Sequence, residues 1–182
     1  MKKRKKRKPF SVILGVTSSI ACYKAAVIAS IFTKEKCMVK TVLTPEASKF
    51  ISPVLFRGLT GNAAFVEQLS PGDAENHIAL SDWADVFVIA PATANTISKI
   101  AAGICDNLLT TLVVSRRCPL FVAPAMETAM WENGIIKKNI LILKKQGIKI
   151  IGPDAGRLAS GGTGVGRMSE PEEIVSRVLA EK

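Results

Sequence analysis

The sequence predicts an α/β fold, an open parallel sheet with helices on both faces, and three observations carry that expectation. Short, nearly continuous apolar runs rich in β-branched residues recur along the chain, as expected of strands covered on both faces. Between them lie segments of helical length bounded by glycine, proline and capping residues. The third is the run Val86 to Ala90, which breaks at Pro91 into Thr93, Asn95 and Thr96. Polar side chains and unpaired N–H groups then converge at one strand's carboxyl end, where open α/β sheets bind ligands.

The elements follow in order. Phe10 to Val16 reads as the first strand, with Thr17-Ser18-Ser19 as polar turn and N-cap for a helix from about Ile20 to Lys34. Met38 to Leu43 is the second strand, and Thr44 starts a short helix over Pro45 to Phe50. The Pro/Gly-rich stretch Ser52 to Asp73 reads as the least regular region. Val86 to Ala90 is the third strand. The next helix spans Thr96 to Ala102 and stops at Gly103, while Leu109 to Ser115 suits either helix or strand. A buried strand, Leu120 to Ala123, precedes a long helix over about Thr128 to Gln146, ended by Gly147. Ile148 to Ile151 is the last strand, and Pro171 to Leu179 a terminal helix with Ser169 as N-cap. Gly152 to Gly166 is glycine-rich and long for a connection, which suits a lid. The alternation describes a Rossmann-like (flavodoxin-like) sheet in a single domain over residues 10–182.

At 182 residues and 48% hydrophobic, one domain with a sizeable core is expected. No apolar run approaches the ~20 residues of a membrane span, so no membrane partner is expected. The net charge of +10 invites a nucleic-acid reading, but seven of those charges sit in Lys2 to Lys8, without which the balance is +3. Such a block reads as a disordered basic tail, residues 1–9, with only weak, salt-sensitive attraction for polyanions. It lacks the apolar core of a secretory signal. The four cysteines, Cys22, Cys37, Cys105 and Cys118, have no CxxC spacing and there is one histidine, so no metal site is expected and a reduced cytoplasm fits.

Gly15-Val16-Thr17-Ser18-Ser19-Ile20 follows a strand and opens a helix, so its N–H groups suit a phosphate. It matches neither a GxGxxG fingerprint nor a Walker loop, and an ordinary helix cap stays open as the alternative. His77 is the only imidazole available for proton exchange near neutral pH.

These residues carry a resemblance. Gly15 through Lys24, Asn76-His77-Ile78, Pro91-Ala92-Thr93-Ala94-Asn95-Thr96, Gly103 through Leu109, Pro124-Ala125-Met126-Glu127-Thr128-Ala129-Met130-Trp131 and Gly164-Val165-Gly166-Arg167-Met168 occur in family order. The chain resembles the flavin-dependent cysteine decarboxylases, in the branch acting on phosphopantothenoylcysteine in coenzyme A biosynthesis. The resemblance implies FMN held by Ser18, Ser19, Ile20, Thr44, Thr93, Ala94, Asn95 and Thr96, with substrate at Met126, Glu127 and Ala159. It implies sites shared between subunits of a homotrimer, sometimes a homododecamer, with His77 facing a neighbour's flavin, so that a monomer is inactive. His77 is then the acid/base while the carbon bearing the thiol is oxidised to a thioaldehyde. Carbon dioxide can leave because its electrons enter the thiocarbonyl, and the enethiol is finally reduced.

Two positions depart from the family pattern. Glu127 stands in the Pro-x-Met-Asn-x-x-Met-Trp motif where the family has asparagine, so a hydrogen-bond donor to carboxylate has become an acceptor. It would repel a substrate carboxylate unless burial raises its pKa or the substrate is held differently. Ser160 stands where many members have the cysteine that protonates the enethiol, and a hydroxyl is a far weaker acid than a thiol of pKa ~8.5. A peptidyl-cysteine oxidative decarboxylase, releasing an enethiol, is the enzymatic alternative; a non-catalytic FMN-binding regulatory protein is the other. The ligase that some relatives carry in the same chain is expected either on a separate polypeptide or on a part of the protein removed from this sequence.

Overall fold

Alternate side chains of each central strand point into two separate apolar layers. In the computed structural model, which describes residues 8–66 and 76–182, Val12, Leu14, Val16, Val86 and Val88 pack in one layer with Ile28, Phe32, Phe56 and Ile174. Ile13, Phe87 and Ile89 pack in the other with Ile97, Leu109, Leu112 and Leu143. The expected basic tail over residues 1–9 lies outside the described residues except for its last two.

The strands are β1 (Ser11–Val16), β2 (Met38–Leu43), β3 (Ala64–Phe65), β4 (Val86–Ala92), β5 (Leu120–Pro124) and β6 (Lys149–Ile150). They form one sheet in the order β3-β2-β1-β4-β5-β6, every pair parallel. Helices α1 (Cys22–Lys34), α2 (Pro53–Thr60) and α8 (Pro171–Leu179) cover the first layer. The second lies under α3 (Asn76–Trp83), α4 (Ala94–Ala102), α5 (Leu108–Ser115) and α7 (Gly134–Lys145), with the short α6 (Thr128–Glu132) before α7. This is the doubly wound Rossmann architecture, and its strand order reverses between β1 and β4.

Several local expectations are corrected. The stretch read as irregular holds α2 and β3: Ser52 caps α2, Pro53 occupies its first turn, and Gly61 ends it in the left-handed region at φ 66°. The helix expected over 128–146 is two, because Asn133 takes an extended conformation and its side chain accepts from Ile135 N at 2.8 Å to start α7. The fourth helix starts at Ala94 rather than Thr96, capped by Thr93. Residues 109–115 are helical, under a capping box from Asn107. Only Ala47–Lys49 of the helix expected over 45–50 forms, as one 3₁₀ turn, with Thr44 Oγ1 accepting from Ala47 N. Ser169 is not the cap of α8: Glu170 takes that position, and the buried Ser169 hydroxyl donates to Asp154 Oδ1 at 3.0 Å. None of Thr17 to Ser19 is the N-cap of α1, which begins at Cys22 after a turn in which Ser19 Oγ accepts from Ala21 N.

The glycine-rich segment is an antiparallel hairpin, β7 (Asp154–Arg157) and β8 (Thr163–Arg167). Its composition has a steric cause. A Cβ on Gly166 would collide with the Met126 carbonyl, and one on Gly164 with the Thr128 hydroxyl. Cys22 and Cys37 are buried, where desolvation pushes their thiols up, while Cys105 is exposed.

At Gly15 the side chain of Leu109 from α5 packs directly over the β1 backbone. A Cβ there would lie 3.0 Å from Leu109 Cδ1, 3.1 Å from Phe87 Cε2 and 3.2 Å from Ile89 Cγ1. Gly15→Val is therefore expected to overpack the second layer and cost ~1–3 kcal/mol, read from the shift of a denaturant midpoint.

Candidate functional site

The crevice opens where β1 and β4 part. Beyond the last ladder pairs their chains are joined by one side chain: the buried Thr17 hydroxyl donates to Pro91 O at 2.8 Å and accepts from Thr93 N at 3.0 Å. Thr93 in turn caps α4, its Oγ1 accepting from Thr96 N at 3.3 Å and lying 3.2 Å from Thr96 Oγ1. The amides of Ala94 and Asn95 are left without intrahelical acceptors, at the positive end of the helix dipole. The turn Ser18-Ser19-Ile20 faces them across a cavity of about 730 Å³.

Of the residues expected to bind a cofactor, Ser18, Ser19, Ile20, Thr93, Ala94 and Asn95 line this cavity together. Thr96 is buried beneath it, bonded to Thr93, and Thr44 is buried in its own turn after β2. Neither reaches the cavity lining. Met126, Glu127 and Ala159 form the opposite wall. The hairpin is fastened to that wall by Met126 N donating to Gly166 O at 3.0 Å.

Ser160 does not line the cavity but donates its hydroxyl to Glu127 Oε2 at 3.0 Å, so the two departures from the family pattern are partners. Glu127 is exposed. His77 is half-buried at the start of α3, the helix packed against α5, and lies outside the cavity lining of its own chain.

Sequence reasoning missed Thr17 as the tie between strand ends and Lys24 as a wall residue. Lys24 lines the cavity yet is only 7% exposed, because its Nζ donates to Met168 O at 3.3 Å and pairs with Glu170 Oε2 at 3.0 Å. Arg167 pairs with the same carboxylate. The signal was there: Lys24 sits within the buried stripe Cys22, Ala25, Ile28, Ala29 of α1, and a lysine on that face needs a partner.

With the site assembled, similarity to known proteins is informative. The family model described as Flavoprotein matches residues 1–181. The chain belongs to the flavoprotein family. Within it, the chain groups with the flavin-dependent cysteine decarboxylases. It is 39% identical over 165 residues to the coenzyme A biosynthesis bifunctional protein CoaBC of Haemophilus influenzae, covering 90% of this chain and 41% of that one. It is 49% identical over 132 residues to a cysteine/cysteine sulfinic acid decarboxylase of an unknown prokaryotic organism, covering 71% of this chain and 37% of that one. The chain thus spans about two-fifths of the length of these curated relatives. A PPC decarboxylase variant solved with pantothenoylaminoethenethiol superposes with a TM-score of 0.85 at 38% identity, covering 96% of this chain and all of that one.

The residues fit the flavin of this family. The open amides at the start of α4 and the hydroxyls of the Ser18-Ser19 turn suit an anionic phosphate, and the apolar part of the lining suits a ring system.

Two outcomes follow from the geometry. Thr17→Val should strand Pro91 O and Thr93 N–H and cost ~1–3 kcal/mol, measured by chemical denaturation. The hydrogen bond from Lys24, helped by Arg167, holds the Glu170 carboxyl below its ordinary range. A group with a depressed folded-state pKa contributes stability above its unfolded value of ~4.3 and loses it as the pH falls through the folded value. Acid should therefore destabilise the wild type more steeply below ~pH 4.3 than Glu170→Gln, in a stability titration at constant salt.

Proposed function

We propose that the protein decarboxylates the cysteine moiety of 4′-phosphopantothenoylcysteine to give 4′-phosphopantetheine, an FMN-dependent step of coenzyme A biosynthesis and a carboxy-lyase reaction. The observation that carries this reading is the single cavity that joins the Ser18–Ile20 turn and the start of α4 to Met126, Glu127 and the glycine hairpin. Its two ends suit a flavin and a thiol-bearing substrate side by side. A curated relative is named for coenzyme A biosynthesis, a solved relative is named a PPC decarboxylase, and other solved relatives are described as FMN-binding or FMN-dependent.

Ser18, Ser19, Ile20, Thr93, Ala94 and Asn95 would hold FMN, with Thr96 bonded to Thr93 and Thr44 buried in the turn after β2. When bound, FMN supplies the two-electron oxidation of the carbon bearing the thiol and its later reversal. The chain's own residues do the rest. Met126 and Ala159 flank the substrate, and the hairpin excludes water from it. Arg157, which lines the cavity and forms no ion pair among the described residues, is a cation available to an anionic substrate group. His77 moves the proton of the substrate thiol.

Because His77 lies outside the cavity of its own chain, its role is best met across a subunit interface. This supports a homo-oligomer, a trimer or a dodecamer, with sites between subunits. The described residues include no helix long and apolar enough to cross a membrane, in keeping with a cytoplasmic enzyme.

Incubating the flavin-loaded protein with 4′-phosphopantothenoylcysteine should release carbon dioxide and give saturated 4′-phosphopantetheine by mass. A product two hydrogens lighter would mean that Ser160 does not support the final proton transfer and that the peptidyl-type outcome holds. His77→Asn should lower turnover ~10²–10⁴-fold with flavin retained. Unchanged turnover would remove the histidine from the mechanism.

A further inference from the structure

The cations that line the cavity fall into two kinds. Lys24 and Arg167 both pair with Glu170, so their charge is taken up within the fold. Arg157 lines the same cavity, yet no carboxylate of the described residues lies within ion-pair distance of it. The strand explains the difference. A Cβ on Gly156 would lie 2.9 Å from Arg167 Cδ and 3.0 Å from its Nη1, so the bare glycine is what lets Arg167 lie across β7 while it pairs with Glu170. Successive side chains of a strand point to opposite faces, and Arg157, the next residue, turns away from that cluster.

Arg157 is exposed and stands on the hairpin wall, opposite the Ser18–Ile20 turn and the open amides of α4. The cavity therefore offers two sets of anion donors, backbone amides with hydroxyls on one wall and a guanidinium on the other. A guanidinium is a planar fork of donors that matches phosphate oxygens two at a time. The reacting carboxylate is the wrong guest for it. Its charge is lost as carbon dioxide forms, so a strong ion pair would stabilise the ground state over the transition state and slow the step. A phosphate at the far end of the substrate keeps its charge of ~−1.5 to −2 at pH 7 throughout the reaction, and at an exposed arginine it stays partly hydrated.

We propose that Arg157 is a specificity residue that binds the terminal phosphate of the substrate, so that the site selects phosphorylated over unphosphorylated pantothenoylcysteine. The inference rests on the phosphopantothenoylcysteine reading above and deepens it by naming the residue that discriminates. Contact with a group remote from the reacting carbon is equally strong in the ground and transition states, so its effect belongs in KM and not in kcat. The ion pair is open to solvent, so added salt weakens it.

The test compares 4′-phosphopantothenoylcysteine with pantothenoylcysteine on the flavin-loaded protein, and adds calorimetric binding of the products 4′-phosphopantetheine and pantetheine as an equilibrium readout. Wild type should favour the phosphorylated member of each pair about tenfold, by a margin that narrows as salt is raised. Arg157→Ala should abolish that preference through a higher KM for the phosphorylated substrate, and Arg157→Lys should keep part of it. Circular dichroism reports that each variant is folded, and flavin absorbance that it is loaded. Equal turnover of the two substrates by wild type would overturn the inference and leave the function proposed above standing. A preference that survives Arg157→Ala would overturn it in the same way. A fall in kcat shared by both substrates would place Arg157 at the reacting carboxylate, and loss of FMN from a folded Arg157→Ala would assign the guanidinium to the flavin phosphate; either overturns it. Turnover of neither substrate by wild type would overturn the function proposed above and the inference with it.

Discussion

The hydroxyl of Thr17 is the contact on which the site depends. Strand order reverses between β1 and β4, so the helices that follow them leave for opposite faces of the sheet, and the crevice between has no ladder to hold it. One buried hydroxyl replaces the ladder by donating to Pro91 O and accepting from Thr93 N. It spaces the Ser18–Ile20 turn from the start of α4, and Thr93, positioned by it, caps α4 and leaves two amides open. Each side chain then sits where backbone donors already converge, which is how an α/β sheet makes an anion site without a glycine fingerprint.

The second wall is held by a different device. Glycines let the β7–β8 hairpin press its backbone against Met126 and Thr128, closer than any side chain allows. Lys24 reaches from α1 to Glu170 and the Met168 carbonyl, tying the end of the hairpin to the first helix. Two basic residues are spent on this tie, which leaves Glu127 and Arg157 as the charged lining residues outside it. The wall is tied to β8 by the bond from Met126 N to Gly166 O and to the hairpin tip by a single exposed hydrogen bond from Ser160 to Glu127.

Much of this was legible in the amino-acid order. The central strands were read to within a residue or two because burial on both faces demands continuous apolar runs, and Val86 to Ala90 admits little else. The polar turn at Ser18-Ser19 and the polar run after Pro91 were legible as strand-end features, while the set Ser18, Ser19, Ile20, Thr93, Ala94 and Asn95, which lines the cavity, came from the resemblance. The short α2 was missed although Ser52, Pro53 and Gly61 are ordinary boundary residues, since its apolar pattern was hidden among prolines and glycines. The break at Asn133 was missed because a capping asparagine inside a helical pattern carries little signal until its backbone is known.

Local chemistry thus determined the fold class, the strand ends and the polar turns, all of which depend on neighbours within a few residues. Tertiary structure alone decided the pairing of Glu127 with Ser160, the burial of Lys24 against Glu170 and the exclusion of His77 from its own chain's cavity. The two pairings join residues separated by 33 and 146 positions. Contacts at such distances are set by how helices and hairpin dock on the sheet, and no periodicity along the chain records that docking.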